Sequence, residues 1–115
     1  MSIVFVAHCH VAHNPRIKAQ PFENGFDESL VLRPLETNTT YDLMAMAAEE
    51  LYGKKGISFW PVSLYCYSDG GVRHPKQGSL KVGSIKVSEL RAYVKQQRPN
   101  DEQCQVHIDL KSNVW

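Results

Sequence analysis

The sequence predicts an α+β fold: a mostly antiparallel sheet of four to five strands with two helices packed on one face. Three observations predict it. Short β-branched runs alternate with period two, as in Cys104, Val106, Ile108 and Leu110 against Gln105, His107 and Asp109. Two other segments repeat their apolar residues at helical spacing, each closed by a stop signal. The resulting order, β-loop-β-α-β-β-α-β, is one in which helices gather on one side of a sheet. The 115 residues set the scale of a single compact domain spanning 1–115.

Residues Ser2 to Ala7 read as a strand, with Ile3, Phe5 and Ala7 on one face and Val4 and Val6 on the other. Apolar residues on both faces place it inside the sheet, away from an edge. From His8 to Glu28 no period is evident, and Asn14-Pro15, Pro21 and Asn24-Gly25 mark a long connection. Leu30-Val31-Leu32 is a short strand that Pro34 restricts to an edge or a strand end. Thr39 or Thr40 caps the first helix, whose inner stripe is Leu43, Ala47 and Leu51, widened by Met44 and Ala48. Gly53 is its expected C-terminal stop, with Lys54 and Lys55 complementing the negative helix end.

Ile57 to Ser68 reads as a strand interrupted at Pro61, with Val62, Leu64 and Cys66 inward and Ser63, Tyr65 and Tyr67 outward. Asp69-Gly70 is a hairpin signal. Leu80-Lys81-Val82 and Ile85-Lys86-Val87 flank Gly83-Ser84 in one strand with a bulge, a reading preferred to a very short hairpin. Ser88 caps a second helix to Arg98, stopped by Pro99, with Leu90, Tyr93 and Val94 inward. Gln103 to Lys111 forms the last strand, expected to be antiparallel and solvated on one face.

Composition removes whole classes of function. With 43% hydrophobic residues the chain can fill a core, and 13 basic against 12 acidic side chains leave a net charge of +1. Such a balance argues against a surface wholly dedicated to nucleic acid or an acidic membrane. The size is too small for a TIM barrel. Cys9, Cys66 and Cys104 are too few and too widely spaced for a disulfide scaffold. No run is long enough for a signal-peptide core or a membrane span, so the expected compartment is the cytoplasm.

His8, His10 and His13 form the most conspicuous local cluster. Imidazoles two apart on a strand share a face, and three nitrogen ligands with an open position suit a catalytic zinc ion. The spacing resembles the H-x-H-x-D-H signature of metallo-β-lactamase-fold hydrolases. Ala12 stands where that motif has its carboxylate and the chain is too short for that fold, so the resemblance ends at six residues. Cys104 and His107 have opposite parity and should diverge. No nucleophile elbow, phosphate loop or dinucleotide fingerprint is present.

A second signal is charge placement. Between Val72 and Arg98 lie seven cations, Arg73, Lys76, Lys81, Lys86, Arg91, Lys95 and Arg98, and one acid, Glu89. Arg91, Lys95 and Arg98 recur at i, i+4 and i+7, a stripe expected opposite the apolar face of the second helix. A third signal is Tyr65 and Tyr67 on the outward face, near Gln105 and His107 if the strands are neighbours. Two helices cannot cover both faces of such a sheet, so these tyrosines either face a partner or lie under the early loop.

Together these features point to a small non-enzymatic protein-binding module without a cofactor. Its expected role is that of an inhibitor, antagonist or immunity-type protein masking an acidic or nucleic-acid-binding surface of a macromolecular partner. Its binding residues are the seven cations with Tyr65 and Tyr67. Two other readings stand beside it: a metal-dependent hydrolase or nuclease holding zinc through His8, His10 and His13, and direct nucleic-acid binding through residues 72–98.

Overall fold

The computed structural model describes residues 4–11, 26–67, 79–100 and 102–112. Seven elements follow one another: β1 (Phe5–Val11), β2 (Phe26–Leu32), α1 (Thr40–Lys55), β3 (Phe59–Tyr67), β4 (Ser79–Val82), α2 (Val87–Gln97) and β5 (Cys104–Ser112). The order of types is the one expected. The strands form one sheet in the order β2-β1-β5-β3-β4. Three of its pairings are antiparallel, whereas β1 and β5 run parallel, so the sheet is mixed. The last strand therefore lies in the middle of the sheet, between β1 and β3.

This strand order explains why both helices lie on one side. The pairings make β2 parallel to β3 and β4 parallel to β5, so α1 and α2 are both crossover helices. One crossover steps rightward from a descending strand and the other leftward from an ascending strand. A half-turn about the sheet normal interconverts these two steps without exchanging faces. Crossovers of the same, right-handed sense must then land on the same face. Between that face and the helices sits the core, in which Phe5, Leu43, Leu51, Leu64, Leu90 and Ile108 are wholly buried. Burial of each such side chain is worth about 1.5–3 kcal/mol.

Several boundaries differ from the sequence-based expectation, each for a physical reason. Strand β1 does not stop at Ala7: His8 to Val11 stay extended because their backbone pairs with β2 on one side and β5 on the other. Cys9 and Val11 continue the buried alternation begun by Phe5 and Ala7. For the same reason β2 reaches back to Phe26 and includes Asp27, Glu28 and Ser29. It is an edge strand, one of the two placements that Pro34 allowed.

Helix α1 begins with a reciprocal capping box, Thr39 Oγ1 accepting from the Asp42 amide at 3.3 Å and Asp42 Oδ2 from the Thr39 amide at 2.9 Å. It runs through Gly53 and stops at Gly56, whose φ of 69° is left-handed and whose amide donates to the Tyr52 carbonyl at 2.8 Å. The last turn is held by Glu28 of β2, which faces both Lys54 and Lys55 at 3.5 Å.

In β3, Pro61 lies opposite Leu110 and Ser63 opposite Asp109, so Val62 is an extra residue in the ladder. The bulge leaves Val62 49% exposed instead of inward beside Leu64 and Cys66, while Phe59 takes a core position. Strand β4 pairs only with Leu64 to Tyr67, so it asks nothing of the missing proline amide at Pro61.

Ile85 to Val87 form neither a bulged strand nor a hairpin. Buried Thr40 captures this segment, its hydroxyl donating to the Gly83 carbonyl at 2.8 Å and accepting from the Ile85 amide at 3.3 Å. The Val87 amide donates to the Asn38 carbonyl at 2.7 Å. This clasp turns the chain into α2 two residues early, so Lys86 occupies the N-cap position and Ser88 lies inside the helix. Among the described residues no helix is long and apolar enough to cross a membrane.

Candidate functional site

The face of the sheet away from the helices collects the outward side chains of β1, β2, β3 and β5. Antiparallel register sets His8 opposite Ser29 and His10 opposite Asp27; parallel register sets His8 beside His107 and His10 beside Asp109. Tyr65 lies opposite His107, and Ser63 opposite Asp109. A polar belt thus crosses four strands.

Two hydrogen-bonded chains organise it. In the first, His10 Nδ1 meets Asp27 Oδ1 at 2.6 Å and His10 Nε2 meets His107 Nδ1 at 2.9 Å. The carboxylate accepts, so Nδ1 of His10 carries hydrogen; with a neutral ring, Nε2 accepts from His107 Nδ1–H. The His10 and His107 rings are near-coplanar, 12° apart with centroids 5.2 Å apart, so they meet edge to edge along the hydrogen bond. In the second chain, Ser29 Oγ lies 2.9 Å from His8 Nδ1, and His8 Nε2 lies 2.8 Å from Gln105 Oε1. His8 also packs on His107, with centroids 5.0 Å apart and planes at 27°. The depth changes sharply along the belt: Asp27 and Ser29 are exposed, His8 and His10 half-buried, and His107 wholly buried.

His8 and His10 therefore share a face, as their spacing predicted; His13 lies outside the described residues. Their third neighbour is His107, which sequence reasoning placed on the outward face without joining it to the cluster. Carrying the alternation of Phe5 and Ala7 on through Cys9 and Val11 would have aligned both β1 histidines with the Gln105-x-His107 pattern of β5. No comparable signal marks Asp27, inside the stretch that lacks a period, or Ser29, between that stretch and the Leu30-Val31-Leu32 run. Among the described residues, no three His, Cys, Asp or Glu side chains converge as a ligand set. His10 and His107 point nitrogen to nitrogen, and an ion about 2.0–2.1 Å from each would have to push them apart.

The cysteines lie on the opposite, core face. Burial pushes the thiols of Cys9 and Cys66 up to about 12 and that of Cys104 to about 11. Such thiols carry almost no thiolate near neutrality and behave as small hydrophobes. Cys104 and His107 diverge to opposite faces, as their parity required.

Of the seven predicted cations, Arg73 and Lys76 lie outside the described residues, and Lys81 occupies β4 opposite Tyr65. Tyr67 occupies the last position of β3, opposite Ser79. Lys86 and Arg91 are exposed; Lys95 and Arg98 are half-buried. The stripe lies beside the apolar face of α2 and not opposite it. Arg91 and Lys95 each follow a buried residue, Leu90 and Val94, by one position, which is about 100° around a helix. Both cations act on Cys104, opposing the effect of its burial, and Lys95 Nζ donates to the Glu102 carbonyl at 3.3 Å. The cationic flank of α2 thus overhangs the start of β5. On the polar face, Trp60 is 63% exposed beside Lys111, next to the protruding Val62.

The chain matches no protein-family model, and no curated protein or solved structure matches it.

Proposed function

We propose that the protein is a small binding module of inhibitor, antagonist or immunity type, working in the cytoplasm by covering an acidic surface of a protein partner. The observation that carries this reading is the convergence of Arg91 and Lys95 over the start of β5, with Arg98 at the end of the same helix and Lys86 at its beginning. Glu89 is the one acid within α2. Cations held on one flank of a helix produce a directed field, which steers an acidic partner from roughly a Debye length, about 8 Å in physiological salt. The mechanism is contact alone: charge complementarity orients the partner, and the docked domain blocks the covered surface.

Replacing Arg91, Lys95 and Arg98 together by glutamate tests it. Proteins retained from the native host by the unaltered chain should be retained at least tenfold less by the variant, with the variant still folded at the assay temperature. Equal retention refutes the electrostatic basis. A duplex DNA probe separates the nucleic-acid alternative: tight binding whose affinity falls steeply with salt, and is lost in the same variant, would replace the protein partner with nucleic acid.

A further inference from the structure

On the opposite, polar face, the geometry points to a serine nucleophile: Ser29, activated by His8 as general base and oriented through Gln105, for attack on small carboxylic esters or other acyl and phosphonyl electrophiles. Three features of the belt combine to give it this competence.

The first is proximity. Antiparallel register places Ser29 directly across from His8, and the Oγ to Nδ1 distance of 2.9 Å is within the reach a general base needs. The second is tautomer control. The Gln105 side-chain oxygen can only accept, so His8 Nε2 carries the hydrogen and Nδ1 presents its lone pair to the Ser29 hydroxyl. The ring is further held by packing on His107, itself fixed through His10 and Asp27. A base oriented by a third group is the arrangement that activates a hydroxyl on unrelated folds. The third is access. Ser29 is exposed on the outermost strand, so an electrophile can approach from solvent.

The step balances without a co-reactant. The Ser29 Oγ forms a bond to the acyl carbon while its proton passes to His8 Nδ1. The resulting imidazolium keeps its Nε2–H bond to Gln105 and returns the Nδ1 proton to the departing alkoxide as the ester C–O bond breaks. Water then cleaves the acyl-serine by the same proton route in reverse.

This inference goes beyond the proposed contact function and does not rest on it, because the cations of α2 take no part. The test uses an alkyl fluorophosphonate, whose reaction forms the Oγ–P bond, expels fluoride and leaves a mass-stable adduct. Peptide mapping of the intact protein after brief exposure should place the adduct on Ser29 at least tenfold more often than on Ser88, an exposed serine of α2 that serves as an internal reference. That comparison is made within one folded molecule. Labelling should fall at least tenfold in His8→Phe and partially in Gln105→Leu. Ser29 labelled no faster than Ser88 would overturn the proposal, reducing the Ser29–His8–Gln105 chain to a cross-strand clasp. Fast labelling that survives in a folded His8→Phe variant would overturn the role of His8.

Discussion

Replacing Gly53 and Gly56 separately by alanine tests where α1 ends. Sequence reasoning stops the helix at Gly53, whereas the structure carries it to Lys55 and caps it with Gly56. The two positions should respond with opposite signs. Gly53 is exposed, and a methyl group there meets nothing within 4 Å. Alanine is favoured over glycine inside a helix by about 0.8–1.0 kcal/mol. Being in the last turn, Gly53 should deliver the lower part of that gain, about 0.5 kcal/mol. Gly56 also has open space around it, but its φ of 69° forces a side chain into the left-handed region. That strain costs roughly 1–2 kcal/mol. The gap between the variants is then about 2 kcal/mol, or about 8 °C in melting temperature for a domain of this size. Urea titration and thermal melts of the two proteins measure it directly. A destabilised Gly53→Ala with a neutral Gly56→Ala would refute the assigned cap and return the helix end to Gly53.

Two further outcomes are expected. Thr40→Val preserves shape but removes the hydroxyl that bridges Gly83 and Ile85; with the Ile85 amide half-buried and Gly83 near solvent, the loss should be about 2 kcal/mol by urea titration, whereas Thr40→Ser should recover much of it. The thiols should make the protein sensitive to alkali. Their ordinary value is 9.0, so below about that pH both states keep the protons and the cysteines contribute nothing. Above it the unfolded chain releases protons that the native state retains up to about 11 or 12, and stability falls as pH rises. Each thiol then costs about 1.4 kcal/mol per pH unit. A Cys9→Ala, Cys66→Ala, Cys104→Ala variant should show a flatter stability profile between pH 9 and 11; an unchanged slope would contradict the burial assignment.

The order of elements, the inner faces of both helices and the buried alternation of β5 were legible in the sequence, because each is written at a local period. Leu43, Ala47 and Leu51 announce a helix whatever surrounds them, and Cys104 to Leu110 announce a strand. Helix ends were less legible: both Gly53 and Gly56 can stop a helix, and the tie from Glu28 to Lys54 and Lys55 accompanies the longer one. Tertiary structure alone decided that β5 enters between β1 and β3, since pairing partners carry no local mark. That insertion brings His107 between His8 and His10 across nearly a hundred residues, and the separate pairing of β2 with β1 adds Asp27 and Ser29. Local periodicity reports which way a side chain faces; which chemistry it meets there depends on hydrogen bonds between strands remote in sequence.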